Sequence, residues 1–362
     1  MASAPPRDAV HISSAASTTE RSPGLKVSDG RLLELDVFRG IAALVVVIYH
    51  YTQRYHELFR HPELPPFRLT LGYLGVELFF MISGFVIFMT VLRCKVPADF
   101  VVSRFSRIFP PFWFAVILTA TVLAIAPLPG LEVTITQVFL NFTLMHKPFV
   151  PHVDGVYWTL TVELCFYALV CLAFACGALD KIRLFCWVWL IAGAITVATG
   201  LAEVDVWVGR IIGYLVLTYG QLFVAGIAFY IVRRDGWSFG PLSLIIGSYA
   251  VNFLRYDLVE MAFITVFYAA FIGFVSGWLK WIALRPLVFL GTISYSLYLT
   301  HQNIGYRIMK SLYEGGFDFW ISTGTALAVA LTIASAMTYF IERPSLKLIR
   351  SLYRRFRTIR TG

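Results

Sequence analysis

The sequence predicts an all-α fold, a polytopic transmembrane helical bundle of about ten spans with both termini in the cytoplasm. Three observations predict it. Hydrophobic residues make up 58% of the 362 residues and charged residues 14%, with a mean hydropathy of +0.74, which is too apolar for an ordinary soluble domain. Apolar runs recur from Arg39 to Ile341, each near the roughly 20 residues a spanning helix requires. The basic residues alternate in density from loop to loop: with the N-terminus inside, 22 of the 30 Lys and Arg fall on inside segments and 8 on outside ones, the asymmetry that sets membrane orientation.

Taken in order, residues 1–30 are rich in Ser, Ala, Pro and Thr and lack a central apolar run, so they read as a disordered cytoplasmic tail and not as a signal peptide. Apolar windows between turn and charge signals then place spans near 39–54, 71–92, 108–127, 155–177, 183–200, 211–232, 238–254, 258–279, 286–309 and 320–341. They form one membrane domain over 31–348. The longest outside connection, 128–154, contains VTITQVFLNFTLMH, which reads as an interfacial or re-entrant segment able to line a site. Residues 349–362 form a basic cytoplasmic tail in which Arg alternates with Leu, Ile, Tyr and Phe. That pattern suits either an anionic leaflet or a solvated topogenic end.

The formal charge of +9 follows from topology and asks for no nucleic acid. Cys94, Cys165, Cys171, Cys176 and Cys186 lack CxxC spacing and read as small buried hydrophobes. There is no Walker loop, GxGxxG or HExxH. His146 and His152 stand in an outer loop without a matching ligand set, so nothing asks for a metal.

Chemistry is carried by the few polar residues inside the apolar spans, which are functional by default. In RGIAALVVVIYH, the eleven steps from Arg39 to His50 rise about 16 Å and turn about 1100°, so both side chains share one helix face. The cation sits at the cytoplasmic boundary and the imidazole at depth, where it can act as a general base. Asp36 either pairs with Arg39 across one turn or starts the helix. In GYLGVELFFMISGF, Glu77 either shapes a cavity or marks the outer interface. SRFSRIFPPFWF sets Arg104 and Arg107 one turn apart, to clamp a phosphate or to anchor a loop. Pro110 and Pro111 then fit the first turn of the next span. Glu163 interrupts VYWTLTVELCFYAL and needs a partner, His50 or an arginine. FLGTISYSLYLTHQN clusters Ser294, Tyr295, Ser296, Tyr298, Thr300 and His301, hydroxyls that line a polar cavity or bond between helices. YFIERPSLK, with Glu342, Arg343 and Pro344, reads as structural.

In order along residues 33–348, ELDVFRGIAALVVVIYH, GYLGVELFFMISGF, RFSRIFP, YWTLTVE, GTISYSLYLTH and FIERP resemble the motifs of the acyltransferase-3 family of integral membrane acyltransferases. The resemblance implies transfer of an acyl group, usually acetyl, from cytoplasmic acetyl-CoA as co-substrate to a hydroxyl of an extracytoplasmic or lipid-linked glycan, such as an O-antigen or exopolysaccharide. It implies residence in a bacterial plasma membrane. Arg39 and His50 match the Arg-x10-His signature, Arg104 and Arg107 the pair on the acyl-CoA side, and Glu163 the acid of the W-[ST]-L-x-x-E motif. Glu77 stands where many relatives carry Asp, and the extra periplasmic domain of some members is not expected here. On this reading His50, Glu163 and Asp36 are the catalytic candidates, His50 either deprotonating the acceptor hydroxyl for direct attack or itself taking the acyl group as a transient acyl-imidazole, and Arg39, Arg104 and Arg107 bind the donor. Glu77, Trp158, Tyr295 and His301 contact the acceptor. Membrane lipid is a further partner, and a homo-oligomer is left open. The competing class is a transporter or flippase of a lipid-linked glycan, with the same residues forming a substrate or proton path.

Overall fold

The computed structural model describes residues 31–144 and 149–361, with side chains to 357. The predicted tail over 1–30 and His146 lie outside them. The described residues contain helices and no strands, and six helical stretches are long and apolar enough to cross a membrane. The helices are α1 (Leu33–Tyr49), α2 (Tyr55–Phe59), α3 (Gly75–Val91), α4 (Pro97–Ile125), α5 (Ile135–Asn141), α6 (Trp158–Ala175), α7 (Ile182–Thr199), α8 (Leu201–Val204), α9 (Val206–Tyr214), α10 (Gly220–Asp235), α11 (Phe239–Asn252), α12 (Leu258–Val275), α13 (Arg285–Thr300), α14 (Gln302–Glu314), α15 (Phe319–Met337) and α16 (Arg343–Thr361).

The bundle is built around α10, whose residues from Gly220 to Val232 are all buried. Its neighbour is α3, and the two approach closely because each offers a glycine at the crossing. A Cβ on Gly84 would strike the Phe223 backbone, and one on Gly226 would strike the Met81 carbonyl. Without a hydrophobic driving force between helices in lipid, such close backbone packing is a main source of association. Gly226→Ala should therefore lower the thermal unfolding midpoint of the purified protein, by overpacking that costs about 1–3 kcal/mol. Gly324→Ala on α15, where a Cβ meets nothing within 4 Å, should leave it unchanged.

Several elements differ from the sequence expectation for identifiable reasons. The window 211–232 is interrupted between α9 and α10, where Val216 adopts a φ of 55°, a left-handed conformation that ends a helix. The window 286–309 bends at His301, where side chains take the carbonyls the ladder would use. The His301 Nδ1 lies 2.9 Å from the Tyr298 oxygen, and the Tyr157 and Tyr51 hydroxyls donate to the Leu299 and His301 carbonyls at 3.3 and 2.8 Å. Pro110 and Pro111 do not open a helix; α4 begins at Pro97 and carries them in its interior. Proline there leaves upstream carbonyls without their ladder partner, and next to this stretch the Tyr295 hydroxyl donates to the Ile108 carbonyl at 2.9 Å.

The connection 128–154 folds back on the bundle. Thr134 and Gln137 make a capping box for α5. The buried Asn141 amide donates to the Pro151 carbonyl at 3.1 Å and accepts from the Val153 amide at 2.9 Å. Helix α16 does not trail away as a separate tail but packs along the start of α4.

Candidate functional site

Most of the charged residues singled out in the sequence, with Trp158 and Tyr295, fall into two cavities that share a wall. One is a narrow chamber of about 100 Å³ lined by Arg39, Arg104, Arg107, Glu163, Tyr167 and Tyr295 among others. The second, of about 940 Å³, is lined by His50, Glu77, Trp158, Arg255, Gln302 and Asn303 among others. Val76 and Tyr298 line both. The Tyr298 hydroxyl is fixed by Thr159, 2.8 Å away, and by the Val156 carbonyl at 3.3 Å.

In the arginine chamber, α1 supplies Arg39, α4 supplies Arg104 and Arg107, and α6 supplies Glu163. Glu163 is satisfied by hydroxyls: Ser83 donates to it at 2.8 Å and Tyr167 at 2.5 Å. Among the described residues it forms no hydrogen bond or ion pair with His50 or an arginine, the two partners expected from the sequence, though its charge acts on Arg39 within the same chamber. Arg107 instead forms its ion pair with Glu342, a fully buried carboxylate that also accepts from Ser296 at 3.1 Å. The Glu of FIERP thus holds an arginine of the chamber, a pairing 235 residues apart that no local pattern signals. Arg104 has no carboxylate partner among the described residues; it donates to Ser103 at 3.1 Å and lies 6.0 Å from the Tyr167 ring. Arg39 likewise makes no ion pair among the described residues. Asp36 does not pair with it, because Arg31 takes that carboxylate at 2.5 Å while also donating to Thr292 at 2.7 Å.

In the histidine chamber, His50 is the first residue of a π-helical turn, His50–Arg54, that continues α1. Such single turns insert a residue into a helix and recur at functional sites. The His50 ring packs against His301, with centroids 4.9 Å apart and His301 Nε2 3.2 Å from His50 Nδ1. His301 is completely buried and lines neither cavity. It stands behind His50, not in the acceptor-contacting position expected from the sequence.

The hydrogen-bond geometry fixes which ring atoms of the neutral pair carry protons. His301 Nδ1 faces the Leu297 and Tyr298 carbonyls at 3.1 and 2.9 Å. Carbonyl oxygens only accept, so this nitrogen bears the hydrogen and His301 Nε2 keeps a lone pair. His50 Nδ1 then faces two acceptors, that lone pair and the Val46 carbonyl at 2.8 Å, and must be the donor. With Nδ1 donating, the hydrogen-free atom of His50 is Nε2, the orientation a general base or nucleophile needs, and the Gln302 side chain is a further hydrogen-bonding neighbour of the ring.

Around it, Glu77 is buried and accepts from the Tyr256 hydroxyl at 3.3 Å, leaving its second oxygen without a partner. Trp158 stacks near Tyr219, at 5.5 Å, and Arg255 lies 4.4 Å over the same Tyr219 ring. Asp154, unremarked in the sequence, is fully buried and accepts from the Val156 and Asn303 amides at 3.2 and 3.1 Å. It ties the start of α6 to the start of α14 and so positions Gln302 and Asn303. The 128–154 connection contributes Gly130 to Val133, Gln137 and Pro151 to Val153 to the wall.

Comparison with known proteins gives these cavities a context. The family model described as "Acyltransferase domain", of the acyltransferase-3 type, matches residues 32–339. The chain is 27% identical over 315 residues to the exopolysaccharide production protein ExoZ of Rhizobium meliloti (strain 1021), covering 80% of this chain and 94% of that protein. It is 27% identical over 383 residues to nodulation protein 10 of Rhizobium leguminosarum bv. viciae, covering 92% of this chain and 98% of that one. No solved structure matches. Since the family match embraces both chambers and every helix that lines them, the chain belongs to the acyltransferase-3 family, as an integral membrane acyltransferase.

Proposed function

We propose that this protein transfers an acyl group, acetyl in the first instance, from cytoplasmic acetyl-CoA to a hydroxyl of an extracytoplasmic or lipid-linked glycan. The observation that carries the reading is the pair of chambers meeting at Val76 and Tyr298, one arginine-rich and the other holding a histidine whose Nδ1 is the donor and whose Nε2 carries the lone pair. The polysaccharide as acceptor is supported by the name of the relative from Rhizobium meliloti, an exopolysaccharide production protein.

In this reading the membrane domain has ten spans and both termini are cytoplasmic, so the arginine chamber opens inward. Arg39 and Arg104 hold the donor's phosphates through forked hydrogen bonds, and the pantetheine arm carries the thioester toward His50. The larger chamber receives the glycan. Its volume lies within the range of small-molecule sites, and it offers aromatic faces at Trp158 and Tyr256 beside the carboxylate of Glu77 and the amides of Gln302 and Asn303.

His50 Nε2 removes the proton from an acceptor hydroxyl as its oxygen attacks the thioester carbonyl. His301 receives the His50 Nδ1 hydrogen bond throughout, orienting the ring and stabilising the imidazolium as the third member of a hydrolase triad does. Collapse of the tetrahedral intermediate breaks the carbon–sulfur bond, and the imidazolium returns its proton to the departing thiolate. Glu163 lines the donor chamber, not the one that holds His50, and spends its bonds on Ser83 and Tyr167. In this account it keeps Ser83 and Tyr167 in place along the donor path.

Supplying radiolabelled acetyl-CoA to membranes containing the protein tests the reading. Label should enter a glycan; a flippase or transporter would leave the glycan unlabelled and the thioester intact. The arginines should separate in the same assay. Arg104→Ala should weaken donor affinity about 10-fold with little loss of folded protein, since it removes charge-assisted bonds to phosphate and no internal ion pair. Arg107→Ala should also lower the thermal midpoint, because it leaves the buried Glu342 carboxylate uncompensated, a loss of about 3–5 kcal/mol. Arg104→Lys should restore only part of the affinity, lacking the fork.

A further inference from the structure

The C-terminal helix is latched onto the first turns of α4 by two contacts in register. On α4, Asp99 and Ser103 are one turn apart; on α16, Arg350, Tyr353 and Arg357 share a face at helical spacing. Asp99 accepts from Arg357 at 2.6 Å and from the Tyr353 hydroxyl at 3.0 Å. One turn on, the Ser103 hydroxyl accepts from Arg350 Nη2 at 3.0 Å and from Arg104 Nη2 at 3.1 Å. Two guanidiniums from distant segments of the chain therefore converge on one neutral oxygen.

Neither of them has a carboxylate partner among the described residues. Arg107, the nearby cation in electrostatic range of Arg350, is committed to Glu342. The Asp99 carboxylate is used by Arg357. Arg104 and Arg350 each keep a buried Nε with no hydrogen-bond partner. An anion between or beside them would offset two like charges that share one hydroxyl and would satisfy the buried donor that each leaves unpaired. A planar fork from each side is the arrangement that phosphate oxygens fill. The pair adjoins the arginine chamber, which Arg104 lines.

We propose that Arg350 of the C-terminal helix binds a phosphate of the acyl donor's nucleotide together with Arg104, so that α16 is part of the donor site. The proposal rests on the reading of acyl-CoA as donor. Helix α16 serves as a strap: Asp99 fixes its far end and Ser103 presents its arginine to the ligand. The same chemistry would suit an anionic lipid phosphate, and the test separates the two sources.

The test is CoA binding by the full-length protein in non-ionic detergent, measured calorimetrically for the native protein and for Arg350→Gln, Arg350→Lys and Arg355→Ala. Arg350→Gln keeps a donor for Ser103, so the strap remains docked. It should bind CoA about 10-fold more weakly, the weight of a charge-assisted bond. Arg350→Lys should fall between, and Arg355→Ala, on an exposed position, should match the native protein. Unchanged CoA affinity in Arg350→Gln would overturn the role of Arg350 while leaving the donor reading intact. Failure of the native protein to bind CoA would overturn both. Repeating the series in nanodiscs of neutral lipid and of lipid with added phosphatidylglycerol addresses the second source. If Arg350→Gln loses only a response to phosphatidylglycerol, with CoA affinity unaltered, the phosphate is the lipid's and the proposal fails.

Discussion

His50→Ala abolishes acyl transfer, by about 10²- to 10⁴-fold or more, while the protein still inserts and accumulates. The magnitude is that of a general base removed from a step that depends on it. The variant should fold because His50 stands at the edge of a large cavity, so removing its ring opens no sealed void in the core. Donor affinity should persist, since Arg39, Arg104 and Arg107 line a different chamber. The check is label transfer into glycan alongside CoA binding by the same preparation. Native rates in folded His50→Ala would remove the histidine from the mechanism.

The second large effect concerns a residue that need not touch the substrate. His301→Ala should lower the transfer rate about 10- to 100-fold, the usual cost of losing the partner that fixes a functional imidazole, with donor affinity unchanged. Without the His301 Nε2 lone pair, His50 Nδ1 keeps only the Val46 carbonyl, and the imidazolium formed during transfer loses its second acceptor. A structural role alone would alter stability and leave the pH profile in place. A positioning role shifts the pH dependence of transfer, because the basicity of His50 is set through that contact. His301→Gln, which presents an amide oxygen toward His50, should recover part of the rate. An unchanged pH profile in folded His301→Ala would leave the residue with a packing role only.

Much of this arrangement was legible in the sequence because polar residues are rare in it. Arg39, His50, Glu77, Arg104, Arg107 and Glu163 stand out against apolar spans, and all six line one of two adjoining cavities. Helix positions were legible for the same reason, since the apolar windows fall on helical stretches, although 211–232 and 286–309 are each divided between two helices. Partners were not. Whether Asp36 turns toward Arg39 or Arg31, and whether Glu163 meets a histidine or two hydroxyls, depends on helix rotation that hydropathy does not encode. The Glu342 to Arg107 and Arg350 to Ser103 contacts join segments more than 230 residues apart. The break at Val216 is a backbone conformation at an ordinary β-branched residue, and nothing in its neighbours' side chains announces it. His301 was noticed, but its depth behind His50 follows from the bend it makes by bonding its own helix carbonyls.

The central claim is that donor and acceptor meet across the wall at Val76 and Tyr298 from opposite faces of the membrane. Sealed vesicles of defined orientation test it most directly, because acetyl-CoA does not cross the bilayer. Radiolabelled acetyl-CoA added outside inside-out vesicles, where the cytoplasmic face is accessible, should label glycan protected in the lumen. The same addition to right-side-out vesicles should label nothing until they are permeabilised. Labelling of glycan by intact right-side-out vesicles, with none by inside-out ones, would contradict both the inward-facing arginine chamber and the route of the acyl group.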